Sequence, residues 1–380
     1  MSEHYKPNYV DEPSEEVNEE YSNDDLFNIT SWGADLSFRE LITMYEEGEL
    51  LKPELQRKYV WKKHEASRFV ESLLLGLPVP SIFLAESKNE TKLIIDGYQR
   101  IMTVYDYVRG IFSQDEKTFK LTNSPKINER WRGKAFSELE DAEQRKIKKS
   151  TIHAIIFVQN HPKGDDTSLF QVFERINTAG KTLTAQEIRN CIYQGKLNKL
   201  LFELNKDFQW RELLGKKEED DRMLDMEFIL RFFALQDSEI KTTNKNQISL
   251  KQYLNTFMGD HADSSENIES IIKGFRKKFL GAVRVIHTKL GKCAFQNWSE
   301  ASKEFSGRFS PTIFDAIMIA THYASCVKID CESELTEAKH KQLLSDETFV
   351  EFTAKRTTNV DHILGRINLA TNYLYGIDYE

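Results

Sequence analysis

The sequence predicts an α+β protein: an N-terminal α/β domain followed by an all-helical C-terminal domain. Two observations carry this. Short β-rich runs, SIFLA (81–85), KLIID (92–96) and TIHAIIFVQN (151–160), alternate with helical periodicity up to about residue 165. Beyond that point apolar residues recur almost only at helical spacing, in TSLFQVFERINT, AQEIRNCIYQ, KLNKLLFELNKD and MLDMEFILRFFALQ and again over 265–290, 310–326 and 358–375. Strands mixed with helices, then helices alone, place a sheet first and packed helices second. The expected divisions are an acidic disordered tail at 1–30, a sheet-containing domain at 31–180 and a helical domain at 181–380.

The elements follow in order. LSFRELITMYEEGEL (36–50) sets Leu36, Leu41, Ile42 and Tyr45 at helical spacing. ELQRKYVW (54–61) reads as extended. HEASRFVESLLLGLP (64–78) is a helix that stops at Gly76, with Pro78 beyond the stop. SIFLA and KLIID form a strand pair across the polar turn ESKNET, and residues 98–109 return to helix with Ile101, Val104, Tyr105 and Val108 on one face. Thr184 and Glu187 make a capping box for a helix that begins at Ala185.

Charge is unevenly placed. Residues 1–30 hold nine acids and one base, a net −8, which equals the net −8 of the whole chain from 52 bases and 60 acids; residues 31–380 therefore carry 51 of each. The tail has too little apolar surface to offset the entropy of ordering it. A neutral folded part neither excludes a nucleic-acid partner nor advertises one, and no dominant basic stripe stands out. There is no run of eighteen apolar residues, no secretion or transit signal, and the four cysteines lack framework spacing. A cytoplasmic protein is expected.

Three constellations can carry chemistry. In LIIDGYQRIMTVYDYVRG (93–110) an apolar strand runs into Asp96-Gly97, and a helix opens with Arg100 in its first turn, where the dipole is already positive. Gly97 permits a tight turn, the free N–H groups of a helix start suit an anion, and Arg100 adds a planar fork suited to phosphate. Asp96 can cap the helix, orient Arg100 or help to hold a metal ion, Mg²⁺, on a bound phosphate; Gln99 can position a base, a ribose or a water. A plain strand-to-helix turn explains the same letters. In FQVFERINTAGKTLTAQEIRN (170–190), Arg175 and Asn177 end an apolar helix face; Gly180-Lys181-Thr182 is not a phosphate-binding P-loop, because Arg175 stands where that motif needs glycine. In PELQRKYVW (53–61), Gln56 and Arg57 precede an aromatic pair, and a charged strand edge would look the same.

The order QRKYVW, SLLLGLPVPSIFL, IIDGYQR and FERINTAGKTLT, spread over residues 50–190, resembles the N-terminal domain family of GmrSD-type restriction endonucleases, which is related to the ParB and sulfiredoxin-like fold. The resemblance implies a ParB-like nucleotide-binding domain in a prokaryotic defence system directed at foreign, often modified, DNA. It implies that Asp96, Gly97, Gln99 and Arg100 form a nucleotide or phosphate site, that Gln56 and Arg57 flank it, and that Arg175 and Asn177 close it. Tyr98 departs from the family, where glutamine is common; its ring can stack on a base or simply cover the turn.

Fused members end in an HNH-like nuclease domain. NVDHILGRINLATNYLYG (359–376) offers Asp361-His362 and Asn368, but Val360, Ile363, Leu364 and Ile367 share a helical face, and a closing helix is the expectation. His322, Cys326 and Cys331 lack the spacing of a zinc site. Trp131, between Arg130 and Arg132, fits base stacking or simple packing. Three functions stay open from sequence: a nucleotide-binding, NTP-hydrolysing module; a non-catalytic DNA-binding adaptor that works with a separate nuclease subunit; and a stand-alone metal-dependent nuclease.

Overall fold

The computed structural model of the chain describes residues 9–10, 29–51, 61–86, 91–159, 184–261, 263 and 267–379. In the first half, strands β1 (Ile29–Ser37), β2 (Leu50–Leu51), β3 (Ile82–Glu86), β4 (Lys92–Asp96), β5 (Ile111–Phe112), β6 (Lys117–Thr118) and β7 (Thr151–Gln159) alternate with helices α1 (Phe38–Glu46), α2 (Lys63–Leu75), α3 (Tyr98–Arg109) and α4 (Asp141–Lys149). Five of the strands make one mixed sheet in the order β1–β7–β3–β4–β2, and β5 and β6 pair separately. β3 lies parallel to β7 and antiparallel to β4.

Period-two alternation gives this sheet two apolar faces. Ile82, Leu84, Ile94, Ile152, Ala154 and Ile156 join α1 to α4 in one core. On the opposite face Ala85 and Ile95, with Phe83, Leu93 and Phe157 beside them, meet Ile188 and Cys191 of helix α5 (Ala185–Ile192). A strand covered on both sides needs apolar residues in succession, which is why KLIID reads as a continuous run. The expected stop of α2 is present: Gly76 is left-handed (φ 79°) and its N–H donates to Leu73 O. So is the capping box of α5, with Thr184 Oγ1 accepting from Glu187 N and Glu187 accepting from Thr184 N.

The second half is built on helices α6 (Lys196–Asn205), α7 (Phe208–Leu214), α8 (Leu224–Ala234), α9 (Ser238–Thr242), α10 (Leu250–Asp260), α11 (Ile268–Leu290), α12 (Pro311–Cys326), α13 (Cys331–Glu334), α14 (Glu337–Leu344), α15 (Glu347–Ala354) and α16 (Val360–Tyr375). Helix α12 is apolar almost all round and lies at the centre of the core. Asp315, fully buried on α12, accepts both Nε and Nη2 of Arg231 from α8, at 3.2 and 2.6 Å, and Nη2 of Arg366 from α16 at 3.2 Å. The stretch 359–376 is the helix α16, with Val360, Ile363 and Ile367 buried. No helix among the described residues is long and apolar enough to cross a membrane.

Three features were not legible. Among the described side chains of strand β1, Leu36 is the buried apolar one, at 9% exposure, and the strand is defined by nine backbone pairs with β7. The helical half carries a polar hairpin of β8 (Gln296–Ser299) and β9 (Glu304–Phe309). Two residues inside the acidic stretch are docked rather than loose: Val10 bridges to Phe309 and is 6% exposed, while the Tyr9 hydroxyl donates to Asp220 Oδ2 at 2.6 Å. Acid counting averaged over this apolar and aromatic pair.

Two stability predictions follow from these buried charges. Removing Asp315 takes a shared carboxylate from two buried guanidinium groups, so Asp315→Ala should cost about 3–5 kcal/mol, read as a lower urea midpoint; an unchanged midpoint would refute the role of this triad. His340 is buried with Nε2 on Ala294 O at 3.0 Å, and burial pushes its pKa down to about 4 from 6.5. Between those values the unfolded chain takes up a proton that the folded chain refuses. Stability should therefore fall as pH drops through that window, and His340→Gln should flatten the dependence between pH 7 and 5.

Candidate functional site at the β4–α3 turn

The turn is positioned from both sides. Ile94 and Ile95 are buried on opposite faces of the sheet, so β4 has little freedom to slide or roll. The chain then leaves the sheet through Gly97, at φ 102° and ψ 2°, which is the N-cap of α3. A Cβ at this position would run into the Ile82 side chain on β3. Glycine is thus required twice, by backbone conformation and by contact. No side chain caps α3, so Asp96 does not act as its N-cap.

Asp96 orients Arg100 instead. Arg100 Nη2 donates to Asp96 Oδ2 at 2.5 Å and to Ser81 O, the carbonyl just before β3, at 3.0 Å. The arginine side chain is 16% exposed and the aspartate 45%. Both hydrogen bonds of the guanidinium leave from one nitrogen. Nε is buried with no hydrogen-bond partner, and Nη1 makes no hydrogen bond among the described residues. The fork is therefore held at one corner, with donors left over and the carboxylate open to solvent beside it. That arrangement can take a tetrahedral oxyanion at Arg100 and present a hard oxygen donor from Asp96.

Gln99 faces the incoming chain: its Oε1 accepts from Trp61 N at 3.3 Å. This bond ties the end of the 53–61 segment to the start of α3, while Leu51, just before that segment, pairs with Leu93 of β4. Gln56 and Arg57 lie outside the described residues, as do Arg175, Asn177 and Gly180-Lys181-Thr182. Their flanks are described: Leu51 and Trp61 on one side, and Thr184, where α5 docks on the sheet, on the other. Tyr98 is 6% exposed and belongs to the core beneath the turn. Burial pushes its hydroxyl up to about 12, and Asp106 adds to the shift, so it stays neutral and covers the turn from below.

Among the described residues no group of three or more His, Cys, Asp or Glu side chains is placed to hold a metal ion. Asp96 is a single carboxylate. It fits a cation that also takes oxygens from a bound phosphate and from water, as Mg²⁺ does, and does not by itself make a resident metal centre. His322 lies 3.5 Å from Cys326 Sγ through Nε2, whereas the Cys331 thiol points at Thr321 O, 3.6 Å away. Trp131 is buried and donates to Glu143 at 2.8 Å, so of its two readings packing is the one observed. Sequence reasoning missed the Ser81 carbonyl and the Ile82 contact, because neither main-chain acceptors nor close approaches have a residue signature.

Residues 38–194 match the model of the family described as GmrSD restriction endonuclease, N-terminal domain. That stretch is similar to this family, and it contains β2 to β7, α1 to α5 and every candidate site residue. It ties the chain to restriction-endonuclease-related defence proteins. No curated protein matches the chain.

The turn's geometry predicts unequal costs for two glycines. Gly97→Ala meets both a left-handed backbone and Ile82, and should cost about 2–4 kcal/mol. Gly48→Ala has a similar φ of 79° but open space around it, and should cost about 1 kcal/mol. Thermal unfolding of the two variants checks the difference; equal losses would mean that the Ile82 contact is not a constraint.

Proposed function

Given a GmrSD-type domain over residues 38–194, we propose that the chain is a nucleotide-binding, NTP-hydrolysing module of a restriction-like system that acts on DNA. The observation that carries this reading is Arg100: a guanidinium fixed by Asp96 and Ser81 O at the mouth of an uncapped helix start, with donors left over. The phosphates of a nucleoside triphosphate would lie over Gly97, where the absent side chain and the helix N–H groups allow close approach. Arg100 would take a terminal phosphate oxygen, and Gln99 and Trp61 would hold the 53–61 segment, with Gln56 and Arg57, over the same place. Catalysis of this kind rests on positioning and on stabilising charge at the transferred group. A Mg²⁺ ion on the triphosphate, with Asp96 as a protein ligand, would supply neutralisation of the developing charge.

Titration calorimetry with ATP, GTP and CTP in Mg²⁺, and phosphate release with and without DNA, test the reading. Arg100→Ala should weaken binding by about tenfold to a hundredfold, the worth of a charge-assisted contact. Arg100→Lys, which keeps charge without the fork, should fall between. Folded wild-type protein that binds none of the three nucleotides, or an Arg100→Ala variant that binds as well as wild type, would overturn it.

A further inference from the structure

The longest helix carries a charge distribution that the site above does not use. Helix α11 contains Lys273, Arg276, Lys277, Lys278, Arg284 and Lys289 against one acid, Glu269, within a stretch, residues 31–380, whose charges balance only when α11 is counted in. At about 100° per residue, Lys273, Lys277 and Arg284 fall within about 40° of one another, along about 17 Å of helix. All three are exposed. Phe275, Phe279, Ala282, Val283 and Ile286 form the opposite, buried face.

Neighbouring acids do not neutralise this stripe. On α6, Glu203 takes Arg276, and Lys196 takes Glu269 at 2.7 Å; on α7, Glu212 takes His287 at 2.6 Å. Lys273, Lys277 and Arg284 have no ion-pair partner among the described residues. A second feature lies alongside. Gly274 and Gly281 flank the stripe on one side, and a Cβ at either would meet nothing within 4 Å. Neither packing nor backbone conformation requires them, and mid-helix each costs about 1 kcal/mol relative to alanine. What they provide is a side-chain-free flank where a rigid partner can approach the helix closely.

We propose that this face of α11 is a docking surface for the backbone of duplex DNA, with Lys273, Lys277 and Arg284 each meeting a phosphate and the Gly274–Gly281 flank admitting the sugar-phosphate ridge. The partner follows from charge and from what is missing. Among the large exposed hydrophobics none lies on α11, so the face offers neither an aromatic platform for single strands nor an apolar edge for a membrane. Its three cations are each assigned to a phosphate, so its contribution is independent of sequence. The inference shares with the proposed function only the premise that the chain meets DNA, and its readout needs no nucleotide.

The test is fluorescence anisotropy with a duplex of about 30 base pairs, across about 50–300 mM salt and without nucleotide. A Lys273→Ala/Lys277→Ala/Arg284→Ala variant should bind more weakly, and its slope of log affinity against log salt should shrink by about 3. Lys126→Ala/Lys245→Ala/Lys355→Ala makes the same change in net charge at exposed sites elsewhere and should leave the slope close to wild type. Gly281→Leu should weaken binding while leaving the slope unchanged. Alanine favours helix, so loss of folding does not confound the first variant. Equal slopes for the two triple variants would overturn the proposal. So would wild-type protein that binds a polyglutamate peptide through this face but not the duplex.

Discussion

The contact between Gly97 and Ile82 is the constraint on which the site depends. Ile82 is fully buried in the core beneath the sheet, and Gly97 can pass it only because it has no side chain. Ser81 precedes Ile82, so the same packing that seats Ile82 presents the Ser81 carbonyl to the start of α3. Asp96 precedes Gly97, so the turn that clears Ile82 also sets the carboxylate four residues before Arg100, one helical turn away. A single close approach between β3 and β4–α3 thus fixes both acceptors that hold the guanidinium. Arg100 is placed by backbone geometry, with little freedom for its side chain to choose another partner.

Helix α5 transmits this order to the helical half. Its apolar residues Ile188 and Cys191 face the sheet. Its charged residues face the other way: Arg189 reaches Glu227 at 2.8 Å and Asn255 at 2.8 Å, and Glu187 accepts from Arg222 at 2.9 Å. Glu187 also closes the capping box that starts the helix. Buried charges tolerate few alternative partners, because an unpaired one is expensive. The polar side of α5 therefore fixes its rotation, and its rotation fixes which residues cover β4. The segment that carries Arg175 and Asn177 leads directly into this helix.

Local signals were legible in the sequence where a residue type has one physical use. Gly76 as a helix stop, the Thr184–Glu187 box, the KLIID run and the helix from Tyr98 were all readable because capping and periodicity act over a few residues. The strand-to-helix turn at Asp-Gly-x-Gln-Arg was readable, but its wiring was not: that Arg100 would reach Ser81 O, or Gln99 the Trp61 amide, depends on strand pairing between distant segments. β1 was invisible because its backbone bonds to β7 do the stabilising and its side chains are mostly exposed. Tyr98 shows the limit most plainly. Its sequence neighbourhood left two readings open, a ring that stacks on a base or one that simply covers the turn, and helix phase turns it into the core.

Charge parity over residues 31–380 hid two different local arrangements of charge. At the β4–α3 turn, cation and anion are paired at 2.5 Å and largely cancel at a distance, so the site projects little field. An incoming anion must compete with Asp96 for Arg100, which favours a ligand that arrives with its own cation or engages the remaining donors of the fork. On α11 the opposite holds: lateral acids are engaged by other bases, the central stripe is unpaired, and its field reaches as far as salt allows. In the proposed function the first surface selects a small anion at short range, and in the proposed docking the second captures a long polyanion before any specific contact forms. A sequence average cannot distinguish the two, because the difference lies in which acid stands next to which base.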